Sequence, residues 1–386
     1  MEKPLWIIYT THMFIEVFLL IQVALIPVMI REFQLNLLEA SLVATVPSLV
    51  ALLTNIPFGI LADRFSTKHL LLGSMLIEGF SALFVSQTNS FWIMVLGVSL
   101  MRISSPLYHI SGLSQISKLS RSEQISRSIG FHNALGNVGS GAGVISLTFF
   151  LSTLGWRWVY LFWSFPIITW GFIILTSLNL KANEVEKRQD QGRRRTPKSS
   201  LVFSSALLFF LVVIGVRQVG SIGSSTFMTT YFVETVGLSE AGASLIFGLG
   251  PFVGIVGSLC GGYLAERLNA KRALSLTTLG CAITLSMLSL TSELHFVILT
   301  YVLYAFFTSN IWSPINTIVA HITPAAQRGL SYSLYFFTEG LIASIAPALT
   351  AGVIELTNVW FVIPFSIIFL IISVVMLQFH SHLRSR

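Results

Sequence analysis

The chain has 386 residues, of which 54% are hydrophobic and only 10% are charged. Soluble globular domains carry about 25% charged residues, so this composition excludes an ordinary soluble domain and indicates a membrane protein. A net charge of +7 would suggest nucleic-acid binding in a soluble protein. Here the basic residues lie almost entirely on one side of the apolar runs, so the charge reports membrane topology and no nucleic-acid partner is expected.

Twelve apolar runs follow one another along the chain, and each is long enough to cross a bilayer as a helix. They lack the period-two alternation of membrane β-barrel strands. The first run is too long for a cleaved signal peptide and has no small-residue cleavage site, so it is expected to remain. We number the predicted helices as spans 1 to 12, at 6–29, 41–61, 70–88, 91–113, 128–151, 158–179, 201–231, 241–263, 273–290, 295–317, 329–353 and 359–379.

Lys and Arg are distributed very unevenly between the two ends of these spans. Of the 23, nineteen lie at the termini or in the connections that follow even-numbered spans. Only Arg31 and Arg157 lie at the other ends, and Arg102 and Arg217 lie within spans. We call these two ends the basic side and the opposite side. Positive residues mark the cytoplasmic side, which predicts a multi-pass plasma (inner) membrane protein with both termini cytoplasmic.

One long polar stretch, residues 181–200, divides six spans from six. It predicts an N-terminal six-helix bundle at 1–180, a basic cytoplasmic linker at 181–200 and a C-terminal six-helix bundle at 201–386. A polybasic segment beside a membrane can bind anionic lipid, and it can equally be a solvated tether.

The connection between spans 2 and 3 contains a motif that recurs between spans 8 and 9. Each copy has a Gly, then Leu-Ala, an acid-Arg pair, and a Lys five residues after the acid, and equivalent positions are 203 residues apart. A unit repeated at mid-length predicts two structurally related halves. The two copies are Gly59, Asp63, Arg64 and Lys68, and Gly262, Glu266, Arg267 and Lys271.

With six spans on each side of a basic loop and this doubled motif, the chain resembles the major facilitator superfamily of secondary transporters over essentially its whole length. The resemblance implies an all-α membrane protein with 12 transmembrane helices in two six-helix bundles. It also implies transport by alternating access around a central cavity, without enzymatic activity. The eight motif residues would then act as a conformational latch and not as substrate ligands. We expect a monomer in the lipid bilayer.

Four shorter segments are similar to the fosmidomycin-resistance type of exporter within that superfamily. They are 12–16 in span 1, 106–109 in span 4, 136–139 in span 5 and 155–157 after span 5. The chain departs from that pattern at Glu16, where Asp is usual, and at Ile110, where Pro follows the His. This narrower resemblance implies export of a drug-like compound.

Five charged residues lie inside spans, namely Glu16, Glu78, Arg102, Arg217 and Glu339. Each costs about 2.5–3.5 kcal/mol to insert, so such groups normally face the interior of the bundle. Three acids against two arginines leave one carboxyl unmatched, and an unmatched carboxyl in a low dielectric is readily protonated. Glu16 and Glu339 are therefore predicted proton-coupling residues, and the alternative is static buried pairs. Glu78 is not chosen because span 3 is peripheral in the family.

Polar residues on the same spans are candidates for contact with protons or substrate. His12 is four residues before Glu16, on the same helix face, and is predicted to share its proton. Guanidinium groups favour an anionic substrate group. Pro106 is expected to kink span 4, where Arg102 and His109 are predicted to share a face. The predicted substrate-binding residues are Arg102, His109, His132, Asn137, Arg217, Asn310 and Tyr335.

Several kinds of site are not indicated. The chain has no Gly-x4-Gly-Lys-Ser/Thr loop for ATP, and no cofactor is expected. Its histidines are dispersed along the sequence without metal-ligand spacing, and no metal is predicted. Cys260 and Cys281 both lie in apolar runs and do not suggest a disulfide scaffold. Transport would therefore depend on an ion gradient, most simply of protons.

The sequence thus favours a secondary active transporter that exports a small amphiphilic or anionic compound in exchange for protons. An uncoupled facilitator and an organic-anion importer are alternatives within transport. Outside transport, the alternatives are a transporter-like membrane sensor and an intramembrane enzyme with His109 or His132 as base.

Overall fold

The computed structural model describes residues 3–62, 65–120, 125–178, 204–323 and 328–379. Within these ranges the fold is all-helical, and twelve helices are long and apolar enough to cross a membrane, which confirms the predicted fold class. The linker predicted at 181–200 lies outside the described residues. The helices are Lys3–Glu16, Ile21–Ala24 and Ile26–Phe33 (span 1), Leu37–Ala62 (span 2), Thr67–Ser86 (span 3), Phe91–Arg102 and Ser104–Leu119 (span 4), Ile125–Thr153 (span 5), Arg157–Ser177 (span 6), Ser205–Glu234 (span 7), Glu240–Leu268 (span 8), Ala270–Ser289 (span 9), Leu294–Ser309 and Trp312–Ile322 (span 10), Arg328–Glu355 (span 11), and Val362–Phe379 after a 3-10 turn at Val359–Phe361 (span 12).

Spans 1, 4 and 10 are interrupted near their middles, where the sequence predicted continuous helices for spans 1 and 10. A proline lacks the N–H that bonds to the carbonyl four residues earlier, and its ring clashes with that carbonyl. Pro106 follows the interruption at Ile103 by three residues, which confirms the kink predicted in span 4. Pro314 similarly follows the interruption at Asn310 and Ile311.

Span 1 also bends between Glu16 and Ile21, where it packs closely against span 5. A Cβ added at Gly139 would overlap the Met13 carbonyl, and one at Gly143 would overlap the Val17 carbonyl. Only glycine leaves room for two helix backbones to approach this closely. These glycines of span 5 therefore form a tight contact within the N-terminal half, and this contact holds span 1 in place.

Spans 1 to 6 pack mainly with one another, as do spans 7 to 12, and the two halves meet through spans 1 and 7, 2 and 11, and 5 and 8. Several polar contacts between the halves lie at the opposite side. Arg31 forms an ion pair with Glu240, and the Leu38 N–H donates to Glu355 Oε1 at 2.8 Å. The Thr229 hydroxyl donates to the Val23 carbonyl at 3.2 Å. In this conformation, the halves are joined at the opposite side.

Candidate coupling and substrate sites

The first candidate site lies inside the N-terminal half, around Glu16. His12 and Glu16 are one helical turn apart on span 1, and the second segment of span 4 brings His109 to the same carboxyl. Glu16 Oε1 lies 3.3 Å from His12 Nε2 and 3.3 Å from His109 Nε2. The side chains of His12 and Glu16 are only 6% and 14% exposed. One buried carboxyl oxygen is therefore in contact with two imidazoles.

The second ring nitrogen of His12 determines where its protons lie. His12 Nδ1 is 2.7 Å from the backbone carbonyl of His132. A carbonyl can only accept, so Nδ1 carries a hydrogen, and Nε2 of a neutral His12 can only accept. An ionised Glu16 would then face a lone pair across 3.3 Å, unless one further proton lies between them. Glu16 and His12 are thus arranged to share a proton.

His132 and Tyr108 form a second layer beside this pair. The Tyr108 hydroxyl donates to the Ile8 carbonyl at 2.8 Å and lies 3.0 Å from His132 Nε2. Since the hydroxyl hydrogen is used, His132 Nε2 must be the donor in that contact. The His132 ring stacks on His12 with centroids 3.6 Å apart. Two stacked imidazolium ions would repel each other, which disfavours positive charge on both rings at the same time.

His12, His109 and His132 are dispersed along the sequence, but the fold brings them together. Their ring nitrogens lie within 4.8 Å of one another, close enough to consider a metal ion. However, the rings of His12 and His132 are stacked and nearly parallel, with 10° between their planes. Because a nitrogen lone pair lies in its ring plane, these two lone pairs do not converge on one point. This geometry favours proton sharing over metal ligation.

Arg102 does not join this cluster through any ion pair within 4.0 Å among the described residues. It ends the first segment of span 4 and lines a small cavity together with Glu78. His109 belongs to the second segment of span 4 and contacts Glu16 instead. The two residues that were predicted to share a helix face therefore have different neighbours, because the interruption at Ile103 separates them.

The second candidate site lies inside the C-terminal half, around Arg217 of span 7, which is 6% exposed. Its Nη1 donates to Ser221 Oγ at 3.0 Å, and its Nη2 donates to Gln218 Oε1 at 2.7 Å. Gln218 Nε2 then donates to Glu339 Oε1 on span 11 at 3.0 Å. The Nε atom of Arg217 is buried without a partner. Gln218 thus connects Arg217 to Glu339, and no carboxylate lies within 4.0 Å of the guanidinium among the described residues.

Of the three other predicted substrate residues, Tyr335 lies beside Glu339 in the second candidate site, and the other two lie elsewhere. Tyr335 is fully buried one turn before Glu339 on span 11. Asn310 is fully buried at the interruption of span 10, where its amide donates to the Phe306 carbonyl at 3.0 Å. Asn137 is half-buried near Gly254 of span 8, at the contact between the halves. Their proposed role in binding substrate remains a prediction.

The predicted latch is only partly within the described residues, since Asp63 and Arg64 lie outside them. Gly59 belongs to the last turns of span 2, and Lys68 to the first turn of span 3. In the second copy, Glu266 is exposed, Arg267 stands 5.4 Å from the Tyr263 ring centroid, and Lys271 Nζ donates to the Gln378 carbonyl of span 12 at 3.4 Å. Gly262 faces Ser313 of span 10. The latch role remains a prediction.

The sequence analysis did not select Tyr108 or Gln218, which complete the two sites. Each stands directly beside a chosen residue, next to His109 and Arg217 respectively. Polar residues next to a charged group inside a span could have indicated them. Their contacts, however, join spans 4 and 5 and spans 7 and 11, and helix periodicity does not report which spans are neighbours.

Comparison with known proteins identifies the family to which this chain belongs. A family model described as the Major Facilitator Superfamily matches residues 5–347, with a further match at 220–382. The chain therefore belongs to the major facilitator superfamily. As its members are transporters, the expectation that the protein is not an enzyme is confirmed, and so is a multi-pass membrane protein with a small-molecule substrate.

Two relatives within transport are similar to this chain over most of its length. The chain is 23% identical over 331 residues to the nitrite extrusion protein of Bacillus subtilis (strain 168), covering 83% of this chain and 79% of that protein. It is 25% identical over 286 residues to the probable nitrate/nitrite antiporter NarK1 of Thermus thermophilus, covering 70% of this chain and 62% of that protein. The chain thus spans less than two thirds of the second relative.

Solved structures agree on the fold. A bacterial homolog of the human lysosomal transporter Spinster, inward-facing and occupied, superposes with a TM-score of 0.79 at 16% identity, covering 99% of this chain and 98% of the other. A D-xylose-proton symporter also superposes with a TM-score of 0.79, at 12% identity and with the same coverage. At these identities, the likeness concerns the fold alone.

Proposed function

We propose that this superfamily member is a proton-coupled exporter of a small anion. The observation that carries the proposal is the contact of one Glu16 oxygen with both His12 and His109. A buried carboxyl beside two imidazoles can gain and lose a proton without leaving an isolated charge in the membrane. That ability is what proton coupling requires, and Glu339 is the corresponding carboxyl of the C-terminal half.

The anionic substrate follows from Arg217. Its guanidinium is buried, has one N–H without a partner and has no carboxylate within 4.0 Å among the described residues. A carboxylate or a small oxyanion can accept from such a fork through two oxygens. The names of the two relatives support the same substrate class, so nitrate and nitrite are the first compounds to test, followed by amphiphilic organic anions.

Export agrees with the electrical driving force. When an anion leaves the cell and a proton enters, both movements carry positive charge inward, which an inside-negative potential favours. Antiport is therefore driven by the potential as well as by the proton gradient. We place the basic side in the cytoplasm, which puts both termini there. Protons that enter the cell are then released at the basic side.

In this proposal the two bundles, 1–180 and 201–386, rock about the central contacts while the linker 181–200 tethers them. The contacts of Arg31 and Glu355 at the opposite side close the cavity to the exterior. The two latch loops would brace the basic side in the other state. This gives alternating access with one protein chain.

The experiment is flux into proteoliposomes that hold the purified full chain, with an imposed proton gradient and a pH dye inside. Nitrate is the first probe, because its conjugate acid is strong and does not carry protons across the lipid unaided. We expect protons to move in the direction opposite to nitrate. The rate of this proton movement should exceed the rate in protein-free liposomes. The exposed variant Glu293→Gln serves as a matched carboxyl control.

Two results would contradict the proposal in different ways. Nitrate or organic-anion flux without any pH change would make the protein a facilitator. Protons that move together with the anion would make it a symporter and would contradict the exchange.

A further inference from the structure

Glu78 is a buried carboxyl that the proposed function does not use. It lies on span 3 and is 3% exposed. The Ser104 hydroxyl, at the start of the second segment of span 4, donates to Glu78 Oε2. A peripheral supporting helix has no structural need for a carboxyl, since an apolar residue would pack there without a desolvation cost.

A small cavity lies beside Glu78, where spans 1 and 4 are both interrupted. Its polar lining comes from Gln22, Glu78, Arg102, Ser104 and Ser105. Helix interruptions that face a cavity expose backbone carbonyls, and membrane transporters use such places to hold cations. In span 4, Pro106 cannot donate to the Arg102 carbonyl, so this acceptor is left for another partner.

Gln22 supplies an independent observation at the same cavity. It is 5% exposed, and its Nε2 donates to the Leu19 carbonyl at 2.9 Å. This contact fixes the orientation of the amide, because the reversed amide would place two oxygens against each other. The other amide atom, Oε1, is then buried without a partner. An acceptor in this position needs a donor or a cation.

The count of charges leads to the same requirement. Among the described residues inside spans 1 to 6, Glu16 and Glu78 are acids and Arg102 is the arginine that could balance them. Arg102 forms no ion pair within 4.0 Å with either carboxyl in the described part of the chain. An ionised Glu16 can pair with a protonated His12 or His109, whereas an ionised Glu78 has no charged partner within 4.0 Å in the described part of the chain. In the C-terminal half, Arg217 and Glu339 balance.

We infer that Glu78 is a second cation-binding carboxyl, distinct from Glu16, whose ligand is a proton or a sodium ion. The Ser104 hydroxyl stabilises the ionised carboxylate, and the unpartnered Gln22 oxygen completes the site when a cation is bound. Arg102, which lines the same cavity, is the positive side chain available to an ionised Glu78 when no cation is bound.

The groups that face Glu78 are few. Span 4 contributes Arg102, which lines the same cavity, and span 1, which packs against span 3, carries His12 and Glu16. Span 6, which packs along span 3, contains no Asp, Glu, Lys, Arg or His between 158 and 177. A change in the ionisation of Glu78 can therefore be measured without interference from an acid on span 6.

The test is infrared difference spectroscopy of the purified full chain in lipid nanodiscs, without any substrate. The carbonyl stretch of a protonated carboxyl is followed during a pH titration in choline buffer. We expect a band whose intensity changes with pH, which is lost in Glu78→Gln and persists in Glu16→Gln. Ser104→Ala keeps Glu78 and should shift the frequency of the same band, which covers the case that Glu78→Gln does not fold.

Sodium chloride is then exchanged for choline chloride at constant pH. Loss of the Glu78 band on adding sodium identifies sodium as a ligand, whereas no change identifies the proton. If the band that Glu78→Gln removes changes neither with pH nor on adding sodium, Glu78 keeps one charge state while the protein is folded and the inference is wrong. Because no transport is measured, this result leaves the role of Glu16 to the flux experiment.

Discussion

The two halves of the molecule each contain six membrane-spanning helices, but they hold their buried charges differently. In the N-terminal half, Glu16 touches two imidazoles, and the nearest arginine pairs with no carboxyl within 4.0 Å in the described residues. In the C-terminal half, Arg217 is separated from Glu339 by the amide of Gln218. The first arrangement suits a mobile proton, and the second keeps a guanidinium available to an anion.

Gln218 is the feature that makes the comparison informative. A direct Arg217–Glu339 salt bridge would use the guanidinium that an anion needs. A neutral amide between the two keeps both groups hydrogen-bonded without pairing their charges directly. The two halves thus differ chiefly in the uncharged groups that lie between their buried charged side chains. The following variants test this division, from the largest expected effect to the smallest.

Glu16→Gln removes the titrating oxygen and keeps a side chain of the same shape. We expect proton-driven anion flux to fall to the rate of protein-free liposomes, because no group at this position can then bind and release a proton. Flux is measured with the internal pH dye, and Glu293→Gln is the exposed control. Parent-like coupling in Glu16→Gln would remove Glu16 from the mechanism.

Gly136→Ala tests the packing that holds the cluster. A Cβ at this position would overlap the His12 ring, whereas a Cβ at Gly130 on the same span meets nothing within 4 Å. Overpacking costs about 1–3 kcal/mol, so we expect a lower thermal midpoint and reduced proton coupling in Gly136→Ala alone. Equal behaviour of Gly136→Ala and Gly130→Ala would show that the position of His12 is unimportant.

Arg217→Lys keeps the charge and removes the planar fork. The loss of a charge-assisted hydrogen bond is worth about 1.5–3 kcal/mol, so the KM for the anion should rise by about tenfold or more. Exposed Arg272→Lys is the matched control. An unchanged KM would show that Arg217 does not bind the anion.

Gln218→Leu cuts the connection between Arg217 and Glu339 while leaving both charges. A net hydrogen bond is worth about 0.5–1.5 kcal/mol, which predicts a change of about two- to tenfold in KM. The ratio of protons to anions should change as well, since Glu339 loses the hydrogen bond from Gln218. If KM changes while this ratio stays at the parent value, Gln218 only positions Arg217.

Glu240→Gln removes the ion pair with Arg31 at the opposite side. Exposed ion pairs contribute about 0–1 kcal/mol, so we expect a small shift toward the state that opens there. Hydrogen exchange in residues 235–242 should become faster, and exposed Glu234→Gln should leave it unchanged. Slower exchange in Glu240→Gln would contradict a closing role for this pair.

Much of the fold could be predicted from the chain because its determinants are local or periodic. Apolar runs of bilayer length define the spans, the imbalance of Lys and Arg defines a basic side, and a motif repeated after 203 residues indicates two halves. Pro106 and Pro314 also mark real interruptions, but Pro251 lies inside the unbroken helix of span 8. Whether a proline interrupts a helix depends on what packs beside it.

The site could be predicted only in part. His12 and Glu16 are one helical turn apart, so their contact could be predicted from the sequence. Three contacts were not predictable in this way: His109 on the same carboxyl, His132 stacked on His12, and the amide of Gln218 between Arg217 and Glu339. Periodicity determines which face of a helix a residue occupies, whereas only the packing of helices determines what that face meets. Sequence alone therefore determined the class of protein and the residues able to carry charge, and tertiary structure decided which of them act together.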